Sequence, residues 1–387
     1  FQVLAMESNN YRAVFQGLDT LHIVYIGYLD PDWWESSELK VKKRKAQERK
    51  EVPYVKIGSN SWEVSPRGTR EYVYCLMRDG WRVYVQSARG MKPIYNQLKI
   101  EIPSSRLRLG LEDLDKEFRA IALCILSLGG ERVQRVDITA DISGFPMNDL
   151  NAFHFYGFPT KMKSINSDLM LENFYALGRD SDLETVVVGK NPQLRIYDKK
   201  KLAIQQDPDW FECWCGKSYE EVLELYEGDS NKIPEITRFE FQLRAYTLRE
   251  FQINSYDDLM EKIQGLWDYM GNKWLELKID DPNVKVKRKL PIAPIWTFLR
   301  TLKFNGNLKL KRVKPFAHDS SKNFEQIMGH FSSFLAKEKI HLLGSNEEHF
   351  KKELLWIFET FFLNSEKWDW IKFVSAFRQK NNQFNGI

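Results

Sequence analysis

The rhythm of apolar and polar positions changes several times along the chain. Residues 21–28 form a β-branched and aromatic run that reads as a strand. Segments 71–77 and 81–86 flank Asp79-Gly80, a pair suited to a two-residue hairpin turn. Segment 94–102 alternates, with Leu98, Ile100 and Ile102 on one face. Over 111–128, Leu114, Phe118, Ile121, Ala122 and Ile125 share one helical stripe, and Gly129-Gly130 reads as the cap that closes the helix. Further strands are expected over 133–142, over 185–199 with a break at Gly189, and over 235–245. An insertion at 201–231 separates the last two and holds a helical patch at 219–226. Segment 31–50 is polar, a helix or an excursion. Segments 256–277, 323–337 and 347–363 have helical spacing.

This alternation predicts an α+β fold: a mixed, largely antiparallel sheet with flanking helices over 10–280, and a basic, mainly helical C-terminal region over 281–387. No repeat is evident in the residues themselves, although the strand–helix–strand pattern recurs loosely in two halves.

Composition narrows the function classes. With 387 residues, 43% hydrophobic and 28% charged, the chain is long enough for two or three cored domains and is neither fibrous nor mostly disordered. No long uncharged apolar run predicts a membrane span, and the first residues do not resemble a secretory leader. Four cysteines without a C-x-x-C pair read as reduced thiols, so a cytoplasmic location is expected. The six histidines include no His-hydrophobe-His pair, and no phosphate-binding Gly-Lys loop occurs, which argues against an intrinsic nucleotide-driven motor.

Charge is segregated. Residues 282–318 hold ten Lys or Arg and no acid, which leaves the rest of this net +4 chain at −6. A second basic run is Lys40, Lys42, Lys43, Arg44 and Lys45. Such runs are commonly solvated faces, but they also suit contact with a phosphate backbone.

Three strands carry the candidate chemistry, because residues two apart face the same side. One face of 135–141 holds Arg135, Asp137, Thr139 and Asp141. One face of 194–199 holds Arg195, Tyr197 and Lys199. One face of 237–244 holds Arg238, Glu240, Gln242 and Arg244. Each strand alone reads as half core and half wet. If the three are neighbours, acids suited to a divalent cation lie beside a tyrosine and phosphate-binding cations. A free tyrosine is ionised to only about one part in a thousand at neutral pH. A metal ion held by Asp137 and Glu240 would polarise a phosphodiester. Arg195 or Arg238 would stabilise charge on its oxygens, and Tyr197 would attack phosphorus. Tyr246 is an alternative nucleophile. Trp210, Phe211 and Trp214 suit either stacking on unpaired bases or capping the sheet edge.

The ordered set resembles the Rep_trans family of replication initiators and relaxases. Arg135-Val136-Asp137-Ile138-Thr139-Ala140-Asp141 is similar to its "R-hydrophobic-D-x-x-x-D" strand. The run from Val188-Gly189-Lys190 through Arg195-Ile196-Tyr197-Asp198-Lys199 is similar to its "iG…RiYdK" segment, and Thr237-Arg238-Phe239-Glu240 to its "R-hydrophobic-E" strand. The resemblance spans 17–255. It implies a DNA-nicking and strand-transfer enzyme that depends on Mg2+ or Mn2+ and forms a 5′-phosphotyrosyl intermediate. By motif position Tyr197 is the nucleophile, Asp137, Glu240 and Asp141 are metal ligands, and origin DNA, a host helicase and a second copy of the chain are partners. Arg195, Lys199 and Arg238 would serve as its phosphate-binding cations. The 201–231 insertion is long for that pattern, and no acid follows Lys199 where one is expected. A non-catalytic DNA-binding initiator or repressor on the same fold is the alternative.

Overall fold

A computed structural model describes residues 11–48, 51–87, 95–157, 163–164, 174–179 and 182–304, with Leu310 and Trp356. Strands β1 (Arg12–Leu29), β2 (Tyr54–Ile57), β3 (Asn60–Val64), β4 (Tyr72–Arg78), β5 (Trp81–Ser87) and β6 (Tyr95–Ile102) come first. They are followed by β7 (Leu126–Ser143), β8 (Phe153–Gly157), β9 (Lys163–Ser164), β10 (Phe174–Arg179), β11 (Asp182–Gly189), β12 (Gln193–Asp198), β13 (Ile236–Arg244) and β14 (Leu275–Ile279). The helices are α1 (Pro31–Ser37), α2 (Leu39–Gln47), α3 (Ser104–Leu107), α4 (Leu114–Leu123), α5 (Lys199–Gln206), α6 (Trp210–Cys215), α7 (Tyr219–Leu225), α8 (Ala245–Glu250), α9 (Tyr256–Tyr269) and α10 (Pro294–Thr301). The fold is α+β, as its periodicity predicts.

Among the described residues eleven strands form one antiparallel sheet, in the order β10-β11-β12-β13-β7-β1-β6-β5-β4-β3-β2. The two longest strands, β1 and β7, lie side by side at its centre. From each, the sheet grows outward in the same way. The long strand pairs with the last strand of its half (β6 for β1, β13 for β7), and earlier hairpins stack beyond it. The sheet is therefore built from two like halves about the β1–β7 seam.

One face is apolar throughout. Val136, Ile138 and Ala140 of β7, Leu194 and Ile196 of β12, and Phe239, Phe241 and Leu243 of β13 belong to the main core. Helices α4, α9 and α10 supply Phe118, Ile263 and Trp296 to the same core. The Phe241 ring meets Trp267, Trp274 and Trp296 edge-on, with centroids 5.2, 6.2 and 6.3 Å away. Strands β14, β8 and β9 make a small second sheet. Leu275 and Leu277 of β14 join the same core, and so does Leu302 beyond α10.

Three expectations need correction. The helix expected over 111–128 ends at Leu123, and the chain is already a strand at Leu126. Gly129 and Gly130 are not its cap; they lie in β7, Gly130 opposite Ile26 and Gly129 in a bulge beside it, where backbones approach so closely that a Cβ on Gly27 would sit 2.0 Å from the Ser127 carbonyl oxygen. The helix expected over 256–277 stops at Tyr269, passes through a wider turn over 270–274 and becomes β14. The third concerns the polar face of β13, which is not wet. Every residue of β13 from Ile236 to Leu243 is buried.

The chain divides into two compact units, Phe1–Val313 and Lys314–Ile387. The helices expected over 323–337 and 347–363 lie, Trp356 aside, outside the described residues. Of the basic block, Lys285, Lys287, Arg288 and Lys289 are exposed on the turn between β14 and α10. No helix among the described residues is long and apolar enough to cross a membrane.

Candidate active site

Strands β12, β13, β7 and β1 are consecutive neighbours, so the three charged faces become one grid. Arg195 stands opposite Glu240, which stands opposite Thr139. Tyr197, Arg238 and Asp141 form the next row, and Gln193, Gln242 and Asp137 the row on the other side. A tight turn sets the register of β12. Gly189 has φ +80°, and a Cβ there would meet the Pro192 carbonyl oxygen at 2.6 Å. Asn191 in that turn accepts hydrogen bonds from the Arg244 backbone N–H at 3.2 Å and the Thr247 hydroxyl at 2.9 Å, tying the turn to the end of β13.

Two clusters occupy the grid. In the first, the Tyr197 hydroxyl donates to Glu240 Oε2 at 3.0 Å. Arg195 Nη2 donates to Asp137 Oδ2 at 3.0 Å and also to Glu240 Oε1, so both buried acids converge on one cationic nitrogen. Arg135 Nε donates to Asp137 Oδ1 at 2.9 Å. The side chains of Arg135 and Arg195 are 25% and 31% exposed, so this end of the grid opens to solvent. Two buried donors here, Arg195 Nε and Gln242 Nε2, have no acceptor.

The second cluster is sealed. Arg238, fully buried, donates from Nε and Nη2 to the two oxygens of Asp141 at 2.5 and 2.7 Å, and from Nη1 to Asp19. Trp214 Nε1 donates to Asp141 Oδ2 at 2.8 Å. The insertion makes the seal: α5, α6 and α7 fold back over the grid, and Trp210, Phe211 and Trp214 form a small core of their own with Ile233 and Ile236. The Trp210 ring lies 4.2 Å from the Arg238 guanidinium carbon and 4.3 Å from Lys199 Nζ. Those indoles are therefore buried over an ion pair rather than presented to bases or placed at the sheet edge. Lys199 opens α5 instead of extending β12, and burial together with Arg238 pushes its amine down to about 8.

The electrostatics follow from burial. Desolvation, with the Glu240 carboxylate adding to it, holds the Tyr197 phenol well above its ordinary value, so it is protonated at neutral pH. Burial and the neighbouring Asp137 and Asp19 push Glu240 up to about 7, against the pull of Arg195 and Arg238. The phenol is thus a hydrogen-bond donor held against a carboxylate of unusually high basicity.

No family model matches the sequence and no curated protein matches it. One solved structure is similar: a rolling circle replication initiator protein from Geobacillus stearothermophilus, at TM-score 0.38 and 14% identity, over 73% of this chain and 94% of that one. A likeness of that size assigns no function, and the reading of the site rests on its geometry.

The structure brings Tyr197, Glu240, Asp137 and Arg195 together. Asp141, Arg238 and Lys199 lie on the same face but belong to the sealed cluster, where both Asp141 oxygens are already engaged. Tyr246 is exposed on α8, past the end of β13. Among the described residues no three His, Cys, Asp or Glu form a ready-made metal cage. Two participants had weak or no sequence signal. Asp19 occupies a bulge in β1 between Leu18 and Thr20, which breaks the alternation that would have placed it. Trp214 lies in an insertion with no periodicity tying it to the sheet.

The same face continues across the seam to His22, the ladder partner of Arg135 on β7 and of Glu101 on β6. Burial lowers the His22 pKa to about 4, with Lys99 and Arg135 acting in the same direction and Glu101 and Asp137 opposing. The unfolded chain takes up this proton near pH 6.5 and the folded chain only near 4, so the contribution is complete above 6.5 and is lost as pH falls toward 4. Wild-type protein is expected to lose on the order of 1–3 kcal/mol more than His22→Gln between pH 6.5 and 4, read from urea midpoints.

Proposed function

We propose that this protein is a DNA-nicking and strand-transfer enzyme that initiates replication or transfer of a mobile element, with Tyr197 as its nucleophile. The observation that carries the reading is one hydroxyl bonded to a buried carboxylate, beside a second acid and a partly exposed arginine, where the grid opens to solvent.

In the reaction Tyr197 Oη attacks phosphorus in line while Glu240 Oε2 accepts the phenolic proton. The bond from phosphorus to the 3′-oxygen breaks, and that oxygen leaves as a free hydroxyl after taking a proton from solvent. The product is a 5′-phosphotyrosyl ester. One phosphodiester replaces another, so rejoining needs no nucleotide triphosphate. Arg195 and Arg135, partly exposed where the grid opens, face the charge that builds on the non-bridging oxygens of the phosphodiester.

A divalent ion fits the donor set. Asp137 and Glu240 converge on Arg195 Nη2, so an ion would take the place of that nitrogen while the partly exposed Arg195 turns to the phosphodiester; Mg2+ commonly takes one or two carboxylates with the rest of its shell from phosphate and water. Those two acids would hold it, and when bound it would polarise the phosphodiester. Asp137→Asn is expected to lower metal-dependent nicking by about 100-fold or more while single-strand binding persists, measured by gel assay and fluorescence anisotropy.

The direct test is incubation with negatively supercoiled DNA carrying the sequence that flanks the protein's own gene, with Mg2+ or Mn2+. Open circles with protein on the 5′ end are expected. Tight, salt-sensitive binding without any nicking would instead mark a non-catalytic initiator or repressor.

A further inference from the structure

The two like halves of the sheet carry like side chains at matching ladder positions. On β12 and β13, Arg195 stands opposite Glu240 and Tyr197 opposite Arg238. On β5 and β6, Arg82 stands opposite Glu101 and Tyr84 opposite Lys99. The Tyr84 hydroxyl donates to Glu101 Oε2 at 3.2 Å, as the Tyr197 hydroxyl donates to Glu240 Oε2 at 3.0 Å. Each glutamate has a residue of its long central strand beside it, His22 for Glu101 and Thr139 for Glu240. The intervening Val83, Val85, Leu98 and Ile100 point into the main core, so both sets lie on the same polar face.

The halves differ in one respect that decides their chemistry. Asp137 lies two residues before Thr139; Thr20 holds the corresponding place before His22 and offers no carboxylate. Glu101 is met by cations instead: Lys99 Nζ at 2.6 Å and Arg82 Nη1 at 3.8 Å, with His22 Nδ1 also at 3.8 Å. With His22 neutral, Lys99 and Arg82 outweigh the single acid, and the Arg82 side chain is 57% exposed. This half has kept the hydroxyl and the cations and lacks the acid pair that suits a metal. The two clusters are joined across the seam by His22 and Arg135, which are direct ladder partners.

From this juxtaposition we infer that Arg82, Lys99 and Tyr84 form a second phosphodiester-binding subsite, which holds the DNA strand engaged at Tyr197 where it crosses the β1–β7 seam, without cleaving it. The inference rests on reading the Tyr197 cluster as a nucleic-acid site. Five strand steps separate β5 from β12, about 24 Å at the usual spacing. A strand rising about 3.4 Å per nucleotide covers that span in about seven nucleotides.

The test is fluorescence anisotropy with mixed-sequence single-stranded oligonucleotides of 4 to 14 nucleotides, across a salt series without divalent ion. Wild-type affinity is expected to step up by tenfold or more once length passes about seven nucleotides. Arg82→Gln alters an exposed side chain and is expected to keep the fold. It should weaken that step and reduce the salt slope by about 0.7 for long oligonucleotides only. Lys99→Gln in addition should remove the step. Unchanged length and salt dependence in both variants would overturn the subsite, as would a covalent adduct on Tyr84 in Tyr197→Phe protein. The binding readout needs no cleavage. If Tyr197→Phe still forms an adduct, on a residue other than Tyr84, while Arg82→Gln loses the long-strand step, the nucleophile assignment fails and the subsite stands.

Discussion

Tyr197→Phe is expected to abolish the covalent protein–DNA adduct, a loss of at least about 1000-fold, with DNA binding unchanged within about twofold. The substitution removes one oxygen and leaves the ring in place. The lost hydroxyl made one hydrogen bond, to Glu240, and Glu240 keeps its contact with Arg195. Urea unfolding should therefore move by only about 1 kcal/mol, which separates lost chemistry from lost structure. The measurement is transfer of a 3′-end label, which stays on the fragment that carries the 5′-phosphotyrosyl ester, to protein on denaturing gels. An adduct of undiminished yield would remove Tyr197 from the reaction.

Arg238→Met is expected to act the other way, destabilising the fold by about 3–5 kcal/mol. The guanidinium is the buried partner of Asp141 and also reaches Asp19, so removing it strands an acid that no water reaches. The second substitution Asp141→Leu should recover only part of the loss, because it removes the stranded charge but leaves the buried Trp214 indole N–H and Asp19 without their partners. Chemical denaturation of the single and double variants measures both. If Arg238→Met unfolded at the wild-type midpoint, the Trp-covered pair would not be holding this end of the sheet.

The strands that bear the site were legible because a period of two survives any environment. Arg195 and Tyr197, Asp137 and Thr139, and Arg238 and Glu240 had to share faces once each segment was extended. Their adjacency was not legible from alternation; it depends on which long-range ladders form. Nor was the burial of the polar face. A charged alternate face reads as solvated unless each charge has a cross-strand partner, and that pairing exists only in the assembled sheet, as between Arg238 and Asp141. Helix ends were misread for a related reason. Leu126 and Leu128 extend a helical stripe as well as they begin a strand, and only the close backbone approach at Gly27 distinguishes the two. The likeness of the two halves lies in ladder positions rather than in aligned residues, so the linear text carried little trace of it.

The segment running through α5, α6 and α7 leaves β12, the strand of the proposed nucleophile Tyr197, and returns on β13, the strand of Glu240. The same stretch of chain that shelters Arg238 and Asp141 is thus the tether between two hydrogen-bonded groups, Tyr197 and Glu240. Lengthening, trimming or nicking this tether would loosen the shelter and the pairing of β12 with β13 together.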